Sequence, residues 1–393
     1  MMVNKQFWNL WSTYAIYYFG KVNLSIVIPA LLITFENLNL YDFGLVSLGF
    51  MFAYAIGQFL HGQISERFNP YVYITMGLLL SGIANLFMGF VGSYFVMLLM
   101  LETFDGFFQS MGWSSVVRAN ALIQKDKERD RSSTILGCSY QVGNSVAWLI
   151  SAFAVAWWGW QAGFWVASIM LLGRGVLLYL TKPKVDHKPI HTVKKQVKGT
   201  ISFPIIMSGL SLMVVNMVRY GVMTWLFTYY VFAGNFGIAD FGNVSLKIIF
   251  IPIAGVIGTL VYNKLPWKKD LISIVFLALM GVSWYLFPLA DSVGGTILVL
   301  ASSAFLYGPH VFLVCTIPSR FKKKGVVASS TGFIDGFGYI GTTIIMLVVP
   351  YLVLETQGAW NNVFILWSLI SFAAAALVAI TYFGHFKNNG YTD

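Results

Sequence analysis

Two cations stand alone inside long apolar runs: Lys21, in Tyr17-Tyr18-Phe19-Gly20-Lys21, and Arg219, in Asn216-Met217-Val218-Arg219-Tyr220. A cation at mid-membrane depth costs several kcal/mol, so it faces a protein interior and marks a substrate or ion path. Arginine offers a planar fork for two oxygens of a phosphate or carboxylate, whereas lysine supplies a point charge. The competing reading is an internal salt bridge with Asp105 or Asp335, the acids of two other apolar segments. Glu102 stands one turn before Asp105 on the same helical face. Carboxyls so placed could take up and release a proton, coupling it to substrate movement. His310, beside Pro309, is a further titratable candidate. Arg174 and Lys247 fall nearer the membrane surfaces and are expected to snorkel to the interface, Lys247 remaining a possible site residue. There is no phosphate-binding Gly-Lys-Ser/Thr loop, no HExxH and no Cys/His metal spacing, so neither an enzyme, a cofactor nor a metal site is expected.

The elements that hold these residues follow from composition. Of 393 residues 58% are hydrophobic and 10% charged, against about 25% charged in soluble domains. Apolar blocks of roughly twenty residues match the length that crosses a bilayer as a helix. A β-barrel is excluded, because 76–80 and 277–285 lack the alternation a barrel wall needs. The reading is an all-α membrane protein of twelve spans, at about 8–35, 41–65, 71–92, 94–121, 133–157, 160–181, 203–232, 241–263, 270–289, 294–318, 326–353 and 358–385. The first span is too long for the core of a cleavable leader.

The formal net charge of +10 collects in alternate loops, at 125–131, 182–198, 264–269 and 320–324, while the intervening loops carry Glu36, Asp42, Asp240, Asp291 and Glu355. That asymmetry places both termini in the cytoplasm and argues against a nucleic-acid partner. The longest connection, 182–201, divides a six-helix half at 1–181 from another at 202–393. The halves echo each other. Each opens on the helix with the lone cation, and the fifth helix of each is interrupted by glycines, Gly137 and Gly143 in one and Gly332, Gly336 and Gly338 in the other. Paired halves with inward polar groups are how secondary transporters build a central site.

Several stretches carry a more specific signal: Tyr14-Ala15-Ile16-Tyr17-Tyr18 with Asn23; Ser65-Glu66-Arg67-Phe68-Asn69-Pro70; Gly106-Phe107-Phe108-Gln109-Ser110-Met111-Gly112-Trp113 with Arg118; Arg219-Tyr220-Gly221; and Tyr307-Gly308-Pro309. Together they resemble the organophosphate:phosphate antiporters of the major facilitator superfamily, whose members include glycerol-3-phosphate and hexose-6-phosphate transporters. The resemblance implies two pseudo-symmetric six-helix halves, alternating access, and a phosphate held between two arginines. Arg219 matches the second arginine and Lys21 stands where the first should be. Tyr140 occupies the place of a histidine used by the glycerol-3-phosphate member, and Tyr14, Tyr18, Tyr54 and Trp113 match aromatic residues of the family cavity. Glu66, Arg67 and Arg118 resemble the superfamily's cytoplasmic gating latch. The departures matter too. Val22 and Thr224 replace an expected lysine–aspartate pair, Gln58 replaces a cavity lysine, and Asp105 and Asp335 are added.

The expectation is therefore a monomeric secondary transporter of a small organic anion, most plausibly a phosphorylated metabolite, in a bacterial inner membrane, with inorganic phosphate or a proton as the second ion. The alternatives are a proton-coupled symporter of a carboxylate or sugar acid, and a transporter-shaped receptor that senses a sugar phosphate.

Overall fold

The structure is a computed structural model and describes residues 5–64, 68–123, 135–183, 202–317, 327–355 and 359–386. Among these residues there is no β-strand. The helices are α1 (Lys5–Thr34), α2 (Leu40–Ile64), α3 (Pro70–Val91), α4 (Phe95–Gln109), α5 (Gly112–Ile123), α6 (Ser139–Trp158), α7 (Trp160–Thr181), α8 (Phe203–Ala233), α9 (Phe241–Ile248), α10 (Phe250–Lys264), α11 (Lys269–Leu286), α12 (Ser292–Val311), α13 (Val327–Glu355) and α14 (Asn361–Thr381).

Local chemistry sets their ends. Asn39 Oδ1 accepts from Tyr41 N at 2.8 Å, and Asp42 Oδ2 accepts from Asn39 N at 2.9 Å, closing the start of α2. Asn69 caps α3 by accepting from Tyr71 N, with Pro70 in the first turn, where its missing N–H costs nothing. Asp291 caps α12 through Gly294 N at 2.7 Å. Between α6 and α7 the chain turns on Gly159 at φ 83°, a conformation side chains disfavour.

Among the described residues, ten helical spans are long and apolar enough to cross a bilayer. The remaining two are the polar ones. The fourth is broken at Ser110–Met111 into α4 and α5, and α6 opens on Ser139, Gln141, Asn144 and Ser145. The eighth span, α9 and α10, continues through a short irregularity at Ile249. In the tenth, Pro309 is followed by a π-helical turn, Phe312–Thr316. Proline removes a backbone donor, and π-turns within helices mark functional positions. Large apolar side chains are left on outer faces, including Phe90, Leu180 and Leu289, the last 77% exposed. Such surfaces need lipid around them. The chain is an integral, multi-pass, all-α membrane protein of twelve spans.

Contacts divide it into two compact units: Met1–His191 with Met223–Ile249, and Thr192–Val222 with Phe250–Asp393. In the first, α1 packs on α6 and α7, α2 on α4, and α3 on α4 and α7. Trp148 Nε1 donates to Ser25 Oγ at 3.0 Å, and the Tyr17 hydroxyl to the Ile74 carbonyl at 2.8 Å. In the second, α10 packs on α12, and α11 on α12 and α14. Trp284, Trp367 and Phe364 fill its core.

Glycines set the closest approaches, and they do so in matching places. A β-carbon at Gly106 on α4 would strike the Phe50 carbonyl on α2; one at Gly258 on α10 would strike the Ala304 carbonyl on α12. Likewise Gly143 on α6 abuts the Ala15 carbonyl on α1, and Gly341 on α13 abuts the Met213 carbonyl on α8. The same helix pairs, second with fourth and first with fifth, are thus joined by glycine in each half. Among the glycines expected from the sequence, Gly143 makes such a contact, whereas a β-carbon at Gly137 or Gly332 meets nothing within 4 Å.

Arg174 departs from expectation. Rather than snorkelling outward it is 8% exposed. Its Nε and Nη2 donate to Thr13 Oγ1 at 3.0 and 2.8 Å, and Nη2 also donates to the Asn9 carbonyl and Asn9 Oδ1. Polar acceptors on α1 offer the guanidinium a better destination than the interface. Arg174 therefore pins α7 to α1. Arg174→Ala should lower the thermal midpoint of the detergent-solubilised protein, since hydrogen bonds to a charged group contribute about 1.5–3 kcal/mol. An unchanged midpoint would show that the clamp contributes nothing.

Candidate functional site

In the first unit the sequence-predicted residues come together around Lys21. Its ammonium lies over the Tyr54 ring, 3.9 Å from the centroid, and 5.6 Å from that of Tyr18. Tyr18 stacks on Tyr140 at 5.9 Å, and Tyr14 meets Tyr18 at 6.0 Å and Trp113 at 4.9 Å. Four helices contribute: α1 carries Tyr14, Tyr18 and Lys21, spaced so that one face presents them; α2 carries Tyr54; α5 carries Trp113; and α6 carries Tyr140. Gln58, one turn beyond Tyr54, shares its face, and its buried Nε2 has no hydrogen-bond partner among the described residues. An aromatic face stabilises a cation by about 0.5–2 kcal/mol.

The second unit repeats the device. The Arg219 guanidinium carbon lies 4.6 Å from the Tyr220 ring centroid and 5.5 Å from that of Tyr307. Arg219 is 6% exposed. The Tyr220 and Tyr339 hydroxyls are 3.4 Å apart. Tyr307 also meets the His310 ring at 6.3 Å, and buried His310 Nδ1 has no hydrogen-bond partner among the described residues. Asp335, half-buried on α13, lies one turn before Tyr339 on the same face.

Tyr220, Tyr307 and Tyr339 were given no role in the sequence reading. The signal was nonetheless there, since Tyr220 follows the arginine and Tyr307 opens the Tyr-Gly-Pro stretch that breaks the tenth span.

The acids of α4 are buried. Asp105 is fully buried and accepts from Ser81 Oγ and from Asn85 Nδ2, the latter at 2.8 Å. The partners of its carboxylate are thus neutral donors on α3, not Lys21. Glu102 is 1% exposed. Lys247 lies against aromatic rings, 5.7 Å from the Tyr230 centroid and 5.3 Å from that of Phe236. Of the expected latch, Glu66 and Arg67 lie outside the described residues, and Arg118 donates to the Phe68 carbonyl at 3.3 Å. No group of three or more His, Cys, Asp or Glu able to hold a metal occurs among the described residues.

Twelve spans in two glycine-jointed halves, each with a cation laid on tyrosines, define a membrane carrier fold. The sequence profile of the Major Facilitator Superfamily matches residues 10–346, and the chain belongs to that superfamily. It is similar to the membrane sensor protein UhpC of Escherichia coli K12, with 24% identity covering 94% of this chain and 90% of that one. It is similar also to the glycerol-3-phosphate transporter of Bacillus subtilis, at 25% identity covering 94% and 90%. A probable hexose phosphate transport protein of Chlamydia pneumoniae is 23% identical over 95% and 89%. Among solved structures, the D-xylose-proton symporter superposes with a TM-score of 0.74 at 14% identity, covering 95% and 96%. A bacterial homolog of the human lysosomal transporter Spinster gives 0.71 at 13%, covering 98% and 96%. At these identities the structures share the fold.

Proposed function

We propose that this protein is a secondary active transporter of a small phosphorylated metabolite, with Lys21 and Arg219 as the two cationic contacts of the anion. The observation that carries the reading is the repeated device: each half places one cation on its first helix against tyrosine rings. Tyrosine rings hold each cation in position, which suits a site that must present it to an anion. Relatives named for glycerol 3-phosphate and hexose phosphate support a phosphate ester as substrate. Tyr14, Tyr18, Tyr140 and Trp113 would orient the neutral part of the substrate, and Gln58 would donate to a hydroxyl. The charge asymmetry of the loops supports cytoplasmic termini, and the bacterial relatives support residence in a bacterial inner membrane. Binding must favour the occluded state over the open ones, because only differential affinity moves such an equilibrium.

The test is uptake of labelled glycerol 3-phosphate and glucose 6-phosphate into proteoliposomes preloaded with inorganic phosphate, beside a panel of sugar acids. Phosphate-dependent uptake supports exchange. Phosphate-ester binding with no uptake would instead favour a sensor, the role in the name of the Escherichia coli relative.

A second reading, a proton-coupled symporter, is favoured by the acids buried on α4 and by the missing lysine at Val22. Within either reading, Tyr54→Ala should raise the substrate concentration at half-maximal uptake about 5- to 30-fold, the equivalent of 1–2 kcal/mol of cation–π contact. Tyr54→Phe should stay near wild type. Equal effects from both would assign Tyr54 to its hydroxyl instead of its ring.

A further inference from the structure

Glu102 and Asp105 stand one turn apart on α4, 1% and 0% exposed. Two chains of donors converge on Asp105. Asn23 Nδ2 on α1 donates to Asn85 Oδ1 at 2.7 Å, and Asn85 Nδ2 donates on to Asp105 Oδ2. Gln109 Nε2 donates to Ser81 Oγ at 2.8 Å, and Ser81 donates to Asp105 Oδ1. Each Asp105 oxygen thus faces a donor, while Asn85 Nδ2 also donates to the Ser81 carbonyl at 3.0 Å; donors on both oxygens suit an ionised carboxylate, which can only accept. Glu102 has the opposite surroundings: its Oε1 is buried with no hydrogen-bond partner among the described residues. Asn23 Oδ1, on a side chain 1% exposed, is likewise buried without one.

Among the described residues, neither carboxyl has a Lys, Arg or His within ion-pairing distance. Two charges one turn apart in an apolar interior would repel each other, and each would forfeit several kcal/mol of hydration. At most one carboxyl is then charged, and donors on both of its oxygens fit Asp105 to that role. A sodium ion needs a shell of several oxygens, whereas a proton needs a single acceptor, which Glu102 Oε1 offers. The packed elements offer little competition. On α1, Tyr17 is close enough to Asp105 to feel its charge, but its hydroxyl is committed to the Ile74 carbonyl. On α2, Tyr54 lies near Tyr17 with its ring occupied by Lys21. On α3, Ser81 and Asn85 do not titrate.

We propose that Glu102 is the proton-carrying residue of this transporter, with Asp105 as its fixed anionic neighbour and Asn23 as the link to the helix that bears Lys21. An O–H bond forms on Glu102 with a proton from one aqueous side and breaks to release that proton on the other, so each cycle moves one proton with the substrate. Movement of α1, which carries both Asn23 and Lys21, alters the network and the substrate contact together. The inference rests on the transporter reading, and it sharpens that reading by naming the coupling ion and its carrier.

Two measurements on the full chain separate the two claims. The first needs no substrate: infrared difference spectra of wild type, Glu102→Gln and Asp105→Asn, read at the carbonyl stretch of a protonated carboxylic acid at neutral pH. The band should vanish in Glu102→Gln and persist in Asp105→Asn. Loss in Asp105→Asn, or persistence in Glu102→Gln, overturns the assignment. The second uses proteoliposomes with an entrapped pH dye and labelled glycerol 3-phosphate. Wild type should acidify the lumen as label enters, and Glu102→Gln should exchange label without the dye response. Label uptake with an identical dye response in both proteins, or a sodium requirement in place of it, overturns the coupling while leaving transport intact. No label uptake by wild type, with the infrared result as expected, counts against the glycerol 3-phosphate reading alone. Should Glu102→Gln fail to accumulate, Glu102→Asp replaces it: the carbonyl band should move in frequency, and an unmoved band overturns the assignment.

Discussion

Arg219→Ala is expected to abolish uptake while leaving normal amounts of folded protein in the membrane. The helix does not need the guanidinium. Its core-facing residues Leu212, Val215 and Val218 are fully buried apolar side chains, and alanine is the best helix former. The substitution removes a charge that Tyr220 and Tyr307 hold in place. Truncating one partner of a buried charge pair costs about 2–5 kcal/mol. That is roughly a 30-fold to several-thousand-fold loss of affinity for the anion. Arg219→Lys keeps the charge but loses the planar fork, so it should recover only part of the uptake. The check is initial-rate uptake beside the thermal midpoint of each variant. Near-wild-type uptake by Arg219→Ala would sink the two-cation site.

Much of this was legible in the sequence, for reasons that also explain what was not. Spans are legible because a bilayer imposes their length, and the two halves because each places its cation on its first helix. The cluster around Lys21 was reached only through the family resemblance, as no periodicity distinguishes Tyr54 or Trp113 from the other aromatic residues. Depth misled at Arg174, which lies toward the end of its span yet is buried, because Asn9 and Thr13 receive it. Charge alone left open whether Asp105 pairs with Lys21. Its actual donors, Ser81 and Asn85, are four residues apart on α3 and so share a face, but nothing in the sequence fixes the register of α3 against α4. The break at Ser110–Met111 was hidden for a related reason: it contains no proline. Tertiary packing shapes it, with Gly112 against the Tyr17 ring.

The same distinction, between a pattern the chain displays and a contact only packing creates, sets the second large effect. Gly143 and Gly137 both looked like points where the fifth helix yields, yet their surroundings differ. At Gly143 the obstacle is the Ala15 carbonyl, part of a helix backbone that cannot rotate aside as a side chain can. Any β-carbon there must push α6 off α1, and with it Tyr140 from Tyr18. Gly341 meets the Met213 carbonyl in the corresponding pair, α13 on α8. Gly143→Val and Gly341→Val are therefore expected to lose most folded, monodisperse protein, since overpacking costs about 1–3 kcal/mol or more out of a total stability of about 5–15 kcal/mol. Gly143→Ala, with a single added carbon, should leave folded protein with impaired transport. Gly137→Ala, in open space, should leave both unchanged. Size-exclusion profiles and thermal midpoints of the four variants decide the matter. If Gly143→Val and Gly137→Ala behaved alike, the close backbone approach would not be what joins the first helix to the fifth. The expected ordering would make these contacts the joints that keep each half rigid while the substrate side chains it carries change partners.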